Sequence, residues 1–240
     1  MKIFNWTNTR LVLMMGVVIF LFSFTSTRNE NRKISKSVII FIGDNALFVK
    51  RETVNKLLIE NEENASTIGK DKLDLNKLER ILNSNEMIEK SDVFVSIDGV
   101  LKAVVKQKTP VARVLDSDGS FYVDYEGGIM PLSNNFTARV PLVSGRISRR
   151  NSQEYAQLFC LIYDDDFLKK NIIAIEIMPN GRLKMRNRNY DYQIDFGNIA
   201  DMEQKFKDYK AFFQKAVLDS SLYKYKKIDL RFTKQVVCTK

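Results

Sequence analysis

Ser37-Val38-Ile39-Ile40-Phe41-Ile42 is a dense β-branched run closed by the turn-forming Gly43-Asp44-Asn45. Branched side chains lose little freedom on a pleated sheet, so a run of this length bounded by turn residues reads as a buried strand. Downstream, Val54, Leu57 and Leu58 recur on one helical face within residues 49–59, and the polar residues 60–72 read as a loop. Asp74 is a predicted N-cap, because a carboxylate there accepts from an orphan amide of the first turn. Leu75, Leu78, Ile81 and Leu82 behind it form a helical stripe. Val93, Val95 and Ile97 then alternate with Phe94 and Ser96, Asp98-Gly99 makes a tight turn, and residues 100–106 return as the second arm of a hairpin. Strand, helix, helix, strand, strand over residues 37–109 is the pattern of a small α+β unit.

Pro110 lacks an amide hydrogen, so it is expected to stop the preceding ladder and mark a domain junction. Beyond it, residues 111–115 and 120–125 flank Asp116-Ser117-Asp118-Gly119, and Glu126-Gly127-Gly128 turns the chain before Ile129-Met130-Pro131-Leu132. Both read as hairpins. Residues 152–168 are helical in pattern, and residues 172–178 are a buried strand ending at Pro179-Asn180-Gly181. After Leu183 and Met185, the side chains Tyr190, Tyr192, Ile194 and Phe196 alternate with Asp191, Gln193 and Asp195, the period of a half-buried strand. Residues 200–218 form an amphipathic helix with the stripe Met202, Phe206, Tyr209, Phe213, Ala216 and Val217. A last strand is read over residues 225–237, where Ile228, Leu230 and Phe232 alternate with Asp229, Arg231 and Thr233.

Upstream of the opening strand lies the most apolar part of the chain. The 17 residues between Arg10 and Arg28 carry no charge. As a helix they span about 25 Å, slightly less than a hydrocarbon core of about 30 Å. Trp6 suits the interface and Arg10 can snorkel. A cleaved signal peptide is the competing reading, but no A-x-A site follows the run, only Thr25-Ser26-Thr27. Lys2 and Arg10 precede the segment while Arg28, Arg32, Lys33 and Lys36 follow it, so charge alone leaves the orientation open. A short head with the large part outside is the simpler topology.

Composition narrows the chemistry. The 240 residues contain no histidine, which removes the Ser-His-Asp and Cys-His arrangements, His-ligated metals and the His general base. The 38 Lys+Arg exceed the 29 Asp+Glu by nine, a modest basic bias over this length. Asp164-Asp165-Asp166 is the densest acidic cluster, but three consecutive carboxylates point in different directions and read better as a cap or turn than as a cation site. Arg146-Ile147-Ser148-Arg149-Arg150 reads as a solvated loop. Cys160 and Cys238 form no metal motif, and Cys160 lies among apolar neighbours as a small core residue. No cofactor, metal, nucleic acid or small-molecule substrate is expected. An envelope enzyme built on the Asp164 cluster is the distant alternative.

Five segments carry a resemblance that no one of them carries alone. Val38-Ile39-Ile40-Phe41-Ile42-Gly43-Asp44 resembles a V-x-x-x-x-G-N/D strand ending, and Gln107-Lys108-Thr109-Pro110-Val111-Ala112-Arg113 an E/Q-R/K-x-P-x-A-R junction. Phe121-Tyr122-Val123-Asp124-Tyr125-Glu126-Gly127-Gly128 resembles a YVDxxG hairpin, Val140-Pro141-Leu142-Val143-Ser144-Gly145 an LPxLxG turn, and Ile228-Asp229-Leu230-Arg231-Phe232 a VDLRY strand. In this order they resemble the bacterial cell-division proteins FtsQ and DivIB. Two departures are Phe232 in place of tyrosine and a tail after it that lacks the usual glycine.

The resemblance implies an α+β fold made of a single N-terminal transmembrane helix, a POTRA domain (β-α-α-β-β) and a strand-rich α+β domain with mainly antiparallel sheet. The expected boundaries are residues 1–10 as a cytoplasmic tail, 11–27 as the transmembrane helix, 28–36 as a linker, 37–109 as POTRA and 110–240 as the FtsQ-type β domain. It further implies a non-enzymatic scaffold of the division septum, single-pass in the cell (inner) membrane with its N-terminus cytoplasmic and its bulk periplasmic. Such a scaffold binds an FtsB/FtsL-like complex and links early division proteins to septal wall synthesis. A strand at a sheet edge presents unpaired main-chain groups to a partner strand. The implied partner-binding residues are Tyr225, Ile228, Asp229, Leu230, Arg231, Phe232, Thr233 and Gln235, with Arg231 on an acidic partner residue and Phe232 as an apolar anchor. Read from the residues alone, the same segment is a covered strand whose polar face meets solvent. The alternative function is a POTRA-type envelope assembly or transport factor that offers an edge to unfolded polypeptide.

Overall fold

The computed structural model describes residues 6–30, 36–43, 48–59, 73–116, 119–147, 152–232 and 235–240. Expectations for Asp44-Asn45, the loop 60–72, Ser148 to Arg150 and Thr233 fall outside the described residues. Helix α1 (Trp6–Glu30) runs past both ends of the uncharged segment, and its stretch Asn8–Thr27 has mean hydropathy 1.8. It is long and apolar enough to cross a membrane. Arg10 lies over the Trp6 ring at 5.2 Å, a cation–π contact at the polar end of the apolar run.

The chain divides into two compact units, Met1–Asn45 with Val49–Gln107, and Ala46–Phe48 with Lys108–Lys240. In the first, β1 (Lys36–Ile42) pairs in parallel with β3 (Val100–Gln107), which pairs antiparallel with β2 (Ile88–Val95), giving the order β1-β3-β2. Helices α2 (Arg51–Ile59) and α3 (Leu75–Asn83) supply Val54, Leu58, Leu78 and Leu82 to a core shared with Ile39, Val93, Leu101, Ala103 and Val105. Asp74 caps α3, its carboxylate accepting from the Lys77 amide at 2.9 Å, as the sequence predicts. Strand β2 begins at Ile88 rather than Val93, because the polar residues 89–92 lie on a strand whose buried side is held partly by Ser91, which donates to Asn83 at 2.9 Å.

The second unit is built on a nine-stranded sheet, in order β12-β11-β10-β9-β8-β7-β4-β5-β6. Its strands are β4 (Pro110–Asp116), β5 (Gly119–Asp124), β6 (Ile129–Met130), β7 (Leu142–Ser144), β8 (Ile172–Ile177), β9 (Leu183–Asn187), β10 (Gln193–Gly197), β11 (Lys227–Asp229) and β12 (Val237–Thr239). Antiparallel pairs predominate, but β4–β7, β7–β8 and β10–β11 are parallel. Pro110 opens β4, where its missing donor costs nothing, instead of ending β3. The segment read as an LPxLxG turn contains a true strand, β7, held between β4 and β8.

Helices α4 (Ser152–Asp164), α5 (Asp166–Asn171) and α6 (Met202–Leu218) complete this unit's core with Tyr155, Phe159, Ile162, Leu168, Phe206 and Tyr209. The single helix expected over residues 152–168 is two, because Asp165 leaves helical geometry and caps α5 by accepting from the Leu168 amide at 3.0 Å. In α6 the stripe differs from expectation at both ends: Lys205 in the first turn is buried, while Val217 in the last is exposed. The Lys205 ammonium donates to the Asn198 carbonyl at 2.7 Å and its side-chain oxygen at 3.0 Å, and lies 4.9 Å from the Phe196 ring centroid. These contacts fasten α6 to β10 and satisfy a charge that burial would otherwise penalise. Burial holds its pKa below the ordinary lysine value.

Candidate partner-binding edge

Of the segment expected as one strand over residues 225–237, only Lys227–Asp229 is a full strand, and a second strand begins at its last residue, Val237, and runs on to Thr239 to close a hairpin. Residues Lys227, Ile228 and Asp229 of β11 pair with β10 on one side and with Thr239, Cys238 and Val237 of β12 on the other. This corrects the sequence reading: β11 is interior, and β12 forms this end of the sheet among the described residues. The break follows from side-chain demands at residues 229–232. Ile228 and Leu230 both enter the core, and Leu230 donates its amide to the Asp195 carbonyl at 2.9 Å. Asp229 meanwhile accepts from the amide of Arg231 two residues on, at 3.1 Å, an Asx-type turn that bends the chain out of the ladder.

Four charges gather at this bend. Asp195 and Asp229 are register partners across β10–β11, and both are buried. Lys227 lies 3.0 Å from Asp195 and 3.8 Å from Asp229. Arg231 grips Asp229 with two nitrogens, Nη2 to Oδ2 at 2.5 Å and Nε to Oδ1 at 2.9 Å, and its Nε is 3.6 Å from Asp195. The hydrogen bond from Arg231 holds the Asp229 carboxyl below its ordinary range, against the opposing effect of burial. The same pairing raises the Arg231 pKa, so the guanidinium is permanently charged. Gly197, at φ +75°, makes room for it, since a Cβ there would stand 2.7 Å from the Arg231 Cγ.

The predicted residues therefore divide by position. Arg231, Phe232 and Gln235 are exposed, Tyr225 is half-buried with its ring against Phe212 at 5.8 Å, and Ile228, Asp229 and Leu230 are buried. Thr233 lies outside the described residues. Sequence reasoning missed Asp195 and Lys227, whose involvement follows only from the parallel register of β10 with β11. It ended the last strand at Val237 and missed Thr239, the other exposed residue of β12, beside Cys238, which packs against the core.

Other candidate groups have structural tasks. Asp164 accepts from the Tyr125 hydroxyl at 2.8 Å, Asp165 caps α5 and pairs with Lys210, and no group of three possible metal ligands occurs among the described residues. Cys160 and Cys238 are both free thiols, and burial pushes the Cys160 thiol up to about 11. At the junction, buried Asp124 accepts from Lys108 at 2.9 Å and from the Gly128 amide at 2.7 Å, which ties the QKTP segment to the following hairpin.

The described residues thus form a helix long and apolar enough to cross a membrane, a three-stranded α+β unit and a nine-stranded sheet that ends in a C-terminal hairpin. Residues 109–239 match the family FtsQ/DivIB, C-terminal related, and the chain belongs to that family. A similar solved structure is the major extracytoplasmic domain of the trans isomer of the bacterial cell division protein DivIB from Geobacillus stearothermophilus. It shows 16% identity and a TM-score of 0.34, covering 47% of this chain and 95% of that one. No curated protein matches the chain.

Proposed function

We propose that this chain is a non-enzymatic, single-pass scaffold of bacterial cell division, with α1 in the cell membrane, its N-terminus cytoplasmic and both units outside. Residues 37–109 act as a POTRA domain, and residues 110–240 carry the binding surface for an FtsB/FtsL-like complex. The observation that carries this reading is the position of β12 at the end of the nine-stranded sheet, in a chain of the FtsQ/DivIB family. A partner strand added to β12 gains main-chain hydrogen bonds, while Val237, Thr239, Phe232 and Gln235 give it side chains to read. Arg231 retains donors beyond those it gives Asp229, and these suit an acidic partner residue.

Proline scanning of β12 tests the idea. Alternate amides of a strand point to opposite edges, so of Val237→Pro and Cys238→Pro one removes an outward donor and the other a bond to β11. The variant that keeps the native melting temperature should lose capture of the FtsB/FtsL-like complex. Undiminished capture by both variants would overturn strand addition.

A further inference from the structure

The turn between β2 and β3 points to a second contact, with lipid. Ser96 and Gly99 close this turn, the Gly99 amide donating to the Ser96 carbonyl at 3.0 Å. At its tip Ile97 is 82% exposed, the most exposed apolar side chain described in the first unit outside α1. Strand β1 starts at Lys36 directly opposite Val100, the first residue of β3. The chain arriving from α1 therefore enters the sheet at the end that carries this turn.

Chain length limits how far that end can travel from a bilayer. From Glu30 to Lys36 there are six steps of at most about 3.6 Å, and the last three residues of α1 beyond Thr27 add about 5 Å. The Lys36 end of the sheet thus stays within about 27 Å of the end of the apolar span. Charge is arranged to match. Lys36 is the register partner of Val100, the residue that follows the turn, and Lys102 lies two residues further along β3, opposite Val38, so both lysines stand at the turn end of the sheet. Lys102 is the register partner of Phe94, which is itself 44% exposed. The connecting sequence adds Arg28, Arg32 and Lys33 against Glu30.

We propose that the β2–β3 turn is a membrane-contacting element, in which Ile97 enters the headgroup region of the bilayer that holds α1 while Lys36 and Lys102 sit on anionic headgroups. An exposed aliphatic tip flanked by two lysines, with one acidic residue, Asp98, in the turn, is chemistry that partitions to an anionic interface. Contact at this point fixes the orientation of the first unit above the membrane and not merely its distance. The inference rests on the reading of α1 as an anchor.

The full-length protein in vesicles containing brominated lipid provides the test, because Trp6 is the chain's single tryptophan. Native Trp6 reports insertion of α1. In a Trp6→Phe background, Ile97→Trp reports the turn, and Ile42→Trp reports the opposite end of β1, about 20 Å away. With about a third of the lipid as phosphatidylglycerol, quenching of Ile97→Trp should exceed that of Ile42→Trp at least about twofold. Lys36→Glu with Lys102→Glu should abolish the difference. Quenching of Trp6 without excess quenching of Ile97→Trp overturns the proposal alone. Absence of quenching at Trp6 overturns the anchor reading and the proposal with it, and a difference that survives charge reversal removes the lysines from the contact.

Discussion

Asp195 and Asp229 face each other across the parallel pair β10–β11, two buried carboxylates in direct register. Like charges placed so are destabilising unless cations lie between them. Here Lys227 comes from β11 itself and Arg231 from the bend that follows it, so the hairpin supplies the charges that make its own attachment to β10 tolerable. Arg231 consequently has a structural task before any partner arrives.

Asp229→Asn should destabilise the protein by about 1–2 kcal/mol, since it removes a charge-assisted fork and leaves the guanidinium without its main acceptor. Arg231→Met should also destabilise, and the double variant should cost less than the two single effects combined. Urea denaturation of the four proteins checks this. Strict additivity would mean that the fork contributes no coupling.

Acid should loosen the same hairpin. Asp229 is held below the ordinary carboxylate value of 3.8, first by Arg231, and Asp165 is also held low because Lys210 and the Leu168 amide outweigh the effect of burial. A carboxyl with a lowered folded-state pKa binds fewer protons folded than unfolded, so stability rises with pH across this range. Its contribution is complete above the unfolded value and is lost as pH falls from about 4 through the folded values. Urea midpoints measured from neutral pH down to about pH 2 should fall less steeply in Asp229→Asn than in the native protein.

Much of this arrangement could be read from sequence, and the failures have a common cause. Asp74 capping α3, the β2–β3 turn at Asp98-Gly99 and the alternation of Ile194 and Phe196 in β10 depend on near neighbours, and local pattern reports them. Strand β7 was read as a turn because its three residues pair only with the distant β4 and β8. The burial of Lys205 is absent from the expected stripe of α6, because its acceptor, Asn198, lies before the helix rather than along its face. The interior position of β11 likewise depends on where β10 and β12 lie in space. The motif around Arg231 was legible as a candidate site, whereas its capture by Asp229 and the edge role of β12 were not.

Behind the sheet, Tyr192 and Tyr209 share a hydrogen bond of 2.8 Å, and Asn187 donates to the Tyr209 hydroxyl at 3.0 Å. Tyr209→Phe removes the partner of the buried Tyr192 hydroxyl and one of the two acceptors of the Asn187 amide, and should cost about 2 kcal/mol in urea denaturation. Burial raises both tyrosine pKa values above 10.0. Groups raised on folding stabilise fully below the unfolded value and lose that contribution as pH climbs towards the folded one, so native stability should decline above about pH 10. An identical alkaline decline in Tyr192→Phe/Tyr209→Phe would assign it elsewhere.

Gly145 makes the sharpest demand on a single residue. It follows β7 at φ +105°, and a Cβ there would lie 2.2 Å from the Ile177 carbonyl oxygen, a backbone atom at the end of β8 that cannot swing aside. Gly145→Ala must therefore either separate β7 from β8 or rotate the residue out of its conformation, and either costs more than about 3 kcal/mol. Gly181 offers the comparison, because at φ +76° it has nothing within 4 Å of an added Cβ. Gly181→Ala carries backbone strain alone, about 1 kcal/mol. Melting curves should show a drop of a few degrees for Gly181→Ala and a far larger loss, or failure to accumulate folded protein, for Gly145→Ala. Equal losses would mean that conformation, not the close approach of β8, demands glycine at both positions.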